Sequence, residues 1–212
     1  MKLDCIRYGN EYGGFYLPSH MPKRMIVYSF GIGEDLSFSE QILEKESYVY
    51  AFDPTPRAIK FVAKHDLSKS QNFFFYPYGI SDNDGKVNFY LPRNKQYVSG
   101  SEILQKNVDP DDVISVDMYC LKTIVKKLGH TRIDILKLDV EGSEFKVIQN
   151  IMNGDKKVDI GLVCMETHER FFPDGDRKMT VLLETMERNG YIVIYHQKNE
   201  WTFMNNKMVF IS

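Results

Sequence analysis

The stretch Met25-Ile-Val-Tyr-Ser-Phe-Gly-Ile-Gly33 decides how the rest of the chain is read. Its first six residues, apolar except for one serine, suit a strand buried on both faces. Gly31 and Gly33 then let the backbone turn tightly and approach a ligand, because neither carries a Cβ. The pair by itself is also compatible with a plain strand-to-helix turn. The segments beyond Gly33 distinguish the two.

Downstream, apolar runs alternate with helical spacing, which predicts βα units and a parallel sheet. A helix is expected over 38–45 and a second strand over Tyr48–Phe52, stopped by Pro54 and Pro56. A helix carrying Ala58, Ile59, Phe61 and Val62 comes next, then a strand from Phe73 to Tyr78. Asp82-Asn-Asp-Gly85 is a turn signal, and Val87, Phe89 and Leu91 alternate after it, so a hairpin arm is expected there. Residues 92–112 read as a long loop, Val113–Val116 as a short strand, and Asp117 as the N-cap of a helix ending at Gly129. Strands over Ile133–Leu138 and Ile160–Met165, with helices over 143–152 and 179–186, complete the alternation. Tyr191–Tyr195 and Lys207–Ile211 are expected to pair as a closing hairpin, with Trp201-Thr-Phe203 between them. The expected organisation is one domain over 1–212, with 1–24 as an N-terminal strap or lid and 82–112 as a hairpin-and-loop insertion.

Composition narrows the function. The chain has 212 residues, 43% of them apolar, and a net charge of −2. There is no large basic surface to attract nucleic acid or anionic lipid. Cys5, Cys120 and Cys164 form no CxxC pair and are odd in number, which argues against a zinc knuckle or a disulfide framework and for a reducing, cytoplasmic setting. Residues 1–22 lack the apolar stretch of a secretory leader, and no run has the length of a membrane span.

In open α/β sheets, ligands bind beyond the carboxyl ends of the strands. The polar residues at those positions are Gly31 and Gly33, then Asp53, Tyr78-Gly79, Asp139 and Glu141, then Glu166 and His168. Asp53 lies 22 positions after Gly31, where a carboxylate can accept hydrogen bonds from ribose hydroxyls. A dinucleotide fingerprint would need a third glycine at position 36, which is Leu36 here. Glu34 and Asp35 would repel a pyrophosphate, and they suit a ligand with sulfonium and ammonium charges. A nicotinamide-dependent oxidoreductase is therefore disfavoured.

With these residues in place, the chain resembles the FkbM-type methyltransferases. The segments that carry the resemblance are Tyr28-Ser-Phe-Gly-Ile-Gly-Glu-Asp35, Val49-Tyr-Ala-Phe-Asp-Pro-Thr-Pro56, Tyr78-Gly-Ile-Ser81, Arg7-Tyr-Gly-Asn-Glu-Tyr-Gly-Gly14 and, most specific, Leu136-Lys-Leu-Asp-Val-Glu-Gly-Ser-Glu144. The resemblance implies a class I, Rossmann-like fold: seven strands, mostly parallel, the last antiparallel, with helices on both faces. It implies methyl transfer from S-adenosyl-L-methionine, usually to a hydroxyl oxygen of a sugar, glycolipid or secondary metabolite. Ser29 departs from the aspartate that many relatives carry there, and Glu34, Asp35 or Asp139 could take over its contact. The same departure is what a catalytically inactive module of this fold, binding cofactor or a partner, would show.

The expected cofactor contacts are Gly31, Gly33, Glu34, Asp53 and Asp139, with Ser81 and Asp82 near the adenine. His168 is the first candidate base, for its pKa near neutrality, with Asp139 and Glu166 as its catalytic partners; His196 is a weaker alternative. Asp139, Glu141, Glu166 and His168 could instead hold a hard divalent ion, but carboxylates at strand ends more often cap helices, and no metal is expected. Tyr12, Phe15 and Tyr16, with Ser99-Gly-Ser101, are candidate lid and acceptor contacts. Cys164 reads as core packing.

Overall fold

The computed structural model describes residues 3–154 and 158–208. In chain order it contains β1 (Cys5–Tyr8), β2 (Phe15–Pro18), β3 (Ile26–Phe30), α1 (Ser37–Leu43), β4 (Tyr48–Phe52), α2 (Pro56–Val62), β5 (Phe73–Tyr76), β6 (Gly79–Ile80), β7 (Gly85–Pro92), β8 (Val108–Tyr119), α3 (Leu121–Leu128), β9 (Arg132–Leu138), α4 (Glu144–Asn153), β10 (Asp159–Glu166), α5 (Gly175–Arg188), β11 (Tyr191–Gln197) and β12 (Glu200–Asn205). Among the described residues, seven strands form the main sheet in the order β11-β12-β10-β9-β3-β4-β5. β10, β9, β3, β4 and β5 run parallel to one another, and β12 runs antiparallel to both β10 and β11. The sheet is therefore mixed, with β12 alone running against the rest.

Alternation along the strands builds a core on each face. Tyr28, Phe30, Phe52, Leu136 and Leu138 point to the side covered by α3, α4 and α5. Val27, Val49, Ala51 and Ile135 point to the side covered by α1, α2 and the β1–β2 hairpin. Each of the larger side chains, fully buried, contributes roughly 1.5–3 kcal/mol. The chain steps outward from β3 to β4 and β5 on one side and returns to β9 and β10 on the other. That reversal opens a crevice at the carboxyl ends of β3 and β9. No described helix is long and apolar enough to cross a membrane.

Three expectations change. Asp117 is not a helix cap, because β8 runs through it and pairs Asp117 with Lys86. The α3 cap position is Cys120, and Asp84 does the capping from outside the helix, accepting from the Cys120 N–H at 2.8 Å and the Thr123 hydroxyl at 2.7 Å. Trp201, Thr202 and Phe203 lie inside the last strand rather than between strands, so the hairpin closes at Lys198-Asn199. Of the strand expected over Lys207–Ile211, residues 209–211 lie outside the described residues. The loop expected over 92–112 shortens to 93–107, because β8 begins at Val108 and pairs with β7.

Candidate functional site

The crevice widens into a cavity of about 980 Å³. Its floor is the glycine bend after β3. Gly31 has φ +71°, a backbone state few residues other than glycine adopt, and a Cβ there would stand 1.7 Å from the Asp139 carbonyl oxygen. No side chain fits between the ends of β3 and β9. Gly33 (φ +53°) presents its amide to Asp53 Oδ2 at 2.9 Å.

Asp53 ends β4 and is buried at the cavity wall. Its Oδ1 accepts from the Thr55 N–H at 2.9 Å and the Thr55 hydroxyl at 2.6 Å. Oδ2 takes the Gly33 N–H alone, which leaves it lone-pair capacity for a ligand donor. Burial pushes the Asp53 carboxyl up; the hydrogen bonds from Thr55 and Gly33 and the nearby Lys137 ammonium pull it back only in part.

Glu34 is at the rim and pairs with Arg57 at 2.5 Å. Arg57 also donates to the carbonyls of Lys95 and Tyr97, at 2.9 Å each, and so ties the 93–107 loop to the cavity. From that loop Val98, Ser99 and Gly100 line the cavity. Ser101 is buried and donates to the Glu141 carbonyl at 2.7 Å. At the tip of the β1–β2 hairpin, Tyr12 is 89% exposed and stands at the cavity mouth. Phe15 and Tyr16 are not acceptor contacts. Phe15 is buried against Phe38, and Tyr16 stacks on Tyr195 at 4.0 Å.

Ser81 and Asp82 do not reach the cavity lining. The Ser81 hydroxyl bonds to Asp82 and Glu102, and Asp82 pairs with Lys146 at 3.0 Å. Glu102 also accepts from Lys146 and from the Ser143 hydroxyl, so these residues fasten the loop to the start of α4. At the adenine end expected from sequence, the cavity lining is instead apolar, with Ile80, Phe89 and Met118.

Asp139, Glu141 and Glu166 converge on the cavity from the ends of β9 and β10. His168 does not line it; the ring is 1% exposed and lies behind these carboxylates. Its Nε2 is 3.4 Å from Glu141 and 3.7 Å from Glu166, and its Nδ1 is 3.4 Å from Glu144. Burial opposes a charge on the ring, yet Glu144, Glu141 and Asp139 together raise its pKa to about 9. His168 at neutral pH is thus an imidazolium held among carboxylates, unlike the free neutral base expected from its unperturbed pKa. Glu166 is pushed up to about 7, by burial first and then by Asp139. Glu141 is raised as well, again chiefly by burial. His196 is exposed, stacked 3.5 Å from Trp201 and away from the cavity.

Two residues of the Leu136–Glu144 signature hold the site together without being legible as site residues in the sequence. Lys137, 2% exposed, donates to the Gly31 carbonyl at 2.9 Å and sits 3.9 Å from Asp139. It lies on the sheet face away from Leu136 and Leu138, so a lysine at a strand position facing the core was the available signal. Glu144, fully buried, accepts from the Gly142 N–H at 2.9 Å and the His168 N–H at 2.6 Å. A glutamate in an otherwise apolar helix stripe with Phe145, Val147 and Ile148 was its signal. Arg57 and Glu102 carried none, because both act through the loop's path.

The Methyltransferase FkbM domain matches residues 26–193, and the chain belongs to that family. It is 25% identical over 186 residues to the probable methyltransferase-like protein 24 of Rattus norvegicus, covering 84% of this chain and 44% of that protein. The Homo sapiens protein of the same name is 26% identical over 149 residues, covering 69% of this chain and 33% of that one. The chain thus spans less than half the length of these relatives. Among solved structures, a fibrillarin/Nop5p complex chain superposes with a TM-score of 0.51 at 8% identity, covering 87% of this chain and 75% of that one, a likeness of fold.

Proposed function

We propose that the cavity binds S-adenosyl-L-methionine and that the chain methylates a hydroxyl oxygen of a sugar, glycolipid or other small-molecule acceptor. The observation that carries this reading is Asp53. A buried carboxylate joins the glycine bend to the end of the neighbouring strand and keeps one oxygen partly free toward an open cavity. That arrangement suits a ribose diol. The cavity volume, at the upper end of the usual range for small-molecule pockets, leaves room for a nucleoside and part of an acceptor.

Gly31, Gly33 and Asp53 would hold the nucleoside and methionine parts, and Ile80, Phe89 and Met118 would face the base. Ser29 is buried and does not line the cavity, so the acids available there to an ammonium group are Glu34, Asp35 and Asp139. When bound, the cofactor supplies an electrophilic methyl group on a sulfonium. The chain's task is to align an acceptor oxygen with it and to accept the hydroxyl proton. The carboxylates that reach the cavity for this are Asp139, Glu141 and Glu166; His168 positions Glu141 and Glu166 from behind. Tyr12 and the 93–107 loop would close over the acceptor as a lid.

The test is calorimetric titration with S-adenosylmethionine, then an acceptor screen read out as S-adenosylhomocysteine release. Folded protein that binds no cofactor removes the proposal. Cofactor binding without turnover on hydroxylated acceptors removes the oxygen-transfer part alone.

A further inference from the structure

We propose that Asp139, Glu141 and His168 form a divalent-metal site in the wall of the cavity. One ligand atom from each lies within 4.8 Å of the others. Around an octahedral ion with bonds of about 2.1 Å, neighbouring ligand atoms stand about 3 Å apart and opposite ones about 4 Å. The three atoms need to close by only about an ångström.

Three features separate this cluster from an ordinary acidic surface. First, His168 is 1% exposed, and its Nδ1 is buried without a hydrogen-bond partner; the nearest acceptor, Glu144 Oε1 at 3.4 Å, is outside bonding geometry. Buried polar atoms are rarely left in that state. Its other nitrogen points among the carboxylates of Glu141 and Glu166. With a metal on Nε2 and Nδ1–H turned to Glu144, the ring gains the carboxylate–histidine–metal arrangement of many ligating imidazoles.

Second, the ligands are fixed from behind. Glu144, itself fully buried, accepts the His168 backbone N–H at 2.6 Å, and Ser101 holds the Glu141 carbonyl at 2.7 Å. Third, the charge is short by one ion. With every carboxyl ionised, Asp139, Glu141, Glu144 and Glu166 carry four negative charges. Among the described residues that pair with them, Lys137 on Asp139 and Arg170 on Glu166 supply two positive ones. The His168 imidazolium supplies a third, so one negative charge stays unmatched until a divalent cation replaces the ring's Nε2 proton. The ring's Nε2 proton passes to solvent as the metal takes its place.

Two carboxylates and one imidazole favour manganese or zinc over calcium, which prefers an all-oxygen shell. Asp139 and Glu141 line the cavity, so the open coordination positions face it. An acceptor oxygen bound there would be oriented and made more acidic. This last step rests on the proposed function; the metal site itself does not.

The experiment uses EDTA-treated, dialysed full chain titrated with MnCl2, monitored by calorimetry and by the loss of the free-ion electron paramagnetic resonance signal. The expected result is one Mn2+ per chain, with affinity lowered at least tenfold in Glu141→Gln and His168→Gln. Asp112→Asn, a surface carboxylate paired with Lys95, should bind as the wild type does. His168 is buried and its variant could misfold, so Glu141, 20% exposed, carries the test if it does, with circular dichroism confirming the fold. No uptake of Mn2+ or Zn2+ by folded wild type, or uptake undiminished in Glu141→Gln, overturns the site. S-adenosylmethionine titrated into the same metal-free protein keeps the two readings apart: cofactor binding without metal uptake sinks only the metal, and the reverse sinks only the cofactor.

Discussion

Replacing Asp53 by Asn probes the joint between the glycine bend and β4 while barely changing side-chain volume. The carboxylate accepts three hydrogen bonds, one from Gly33 and two from Thr55. An amide has one oxygen, so its NH2 must face either the Gly33 N–H or the Thr55 donors. One buried donor is then left unpaired, at about 1–3 kcal/mol. The loss is partly offset, because burial disfavours the charge that Asn removes. A net loss near 1–2 kcal/mol would lower Tm by about 2–8 °C in a chain of this size. Cofactor affinity should fall further, since a ligand hydroxyl loses a charged acceptor worth about 1.5–3 kcal/mol, or roughly ten- to a hundredfold in Kd. The sign with pH is also fixed. The folded pKa of Asp53 lies above its unfolded value, so its contribution to stability is fully present below the unfolded pKa and is lost as pH rises through the folded one. Cofactor binding runs the other way, because the ionised form is the acceptor. Wild-type affinity should weaken as pH falls through the raised Asp53 pKa, and that component should vanish in Asp53→Asn. Calorimetric titrations across the acid range, with melts on the same samples, make the measurement. A folded Asp53→Asn protein that binds S-adenosylmethionine within twofold of wild type would refute the ribose assignment.

Gly31→Ala should abolish cofactor binding and the cooperative melt together, because its Cβ would overlap the Asp139 carbonyl oxygen; a variant with a normal melt would show that the β3–β9 crevice yields more than its geometry allows. Asp84→Ala should cost about 1–2 kcal/mol by uncapping α3, typical of a lost N-cap, seen as a lower Tm with cofactor affinity unchanged; a coupled loss of affinity would argue against a purely structural role. Cys164 is fully buried with its thiol pushed up to about 12 by burial, so thiol reagents should label it only on unfolding, and Cys164→Ala should leave the count of native-state reactive thiols unchanged.

By itself the sequence determined the alternation of strands and helices, the glycine bend and the acid at the end of the second parallel strand. These depend on local periodicity and on residues with restricted or unusual backbone freedom, which act within a few positions of themselves. It also placed Asp139, Glu141 and Glu166 at one sheet edge, because parallel strands send their carboxyl ends to the same side. Asp117 and Trp201-Thr-Phe203 were misleading in sequence, because a cap and a hairpin turn depend on which partner competes for the same backbone groups. Lys86 claimed Asp117 for the β7–β8 ladder, and Asp84 took over the cap from 36 residues away. Only the tertiary structure decided the state of His168. Its unperturbed pKa sits near neutrality; burial and three carboxylates of the 139–144 segment set its actual charge. The same holds for Ser81 and Asp82, turned from the cavity by Glu102 and Lys146. Charge and exposure are sums over neighbours in space, and a sequence orders its residues along the chain alone.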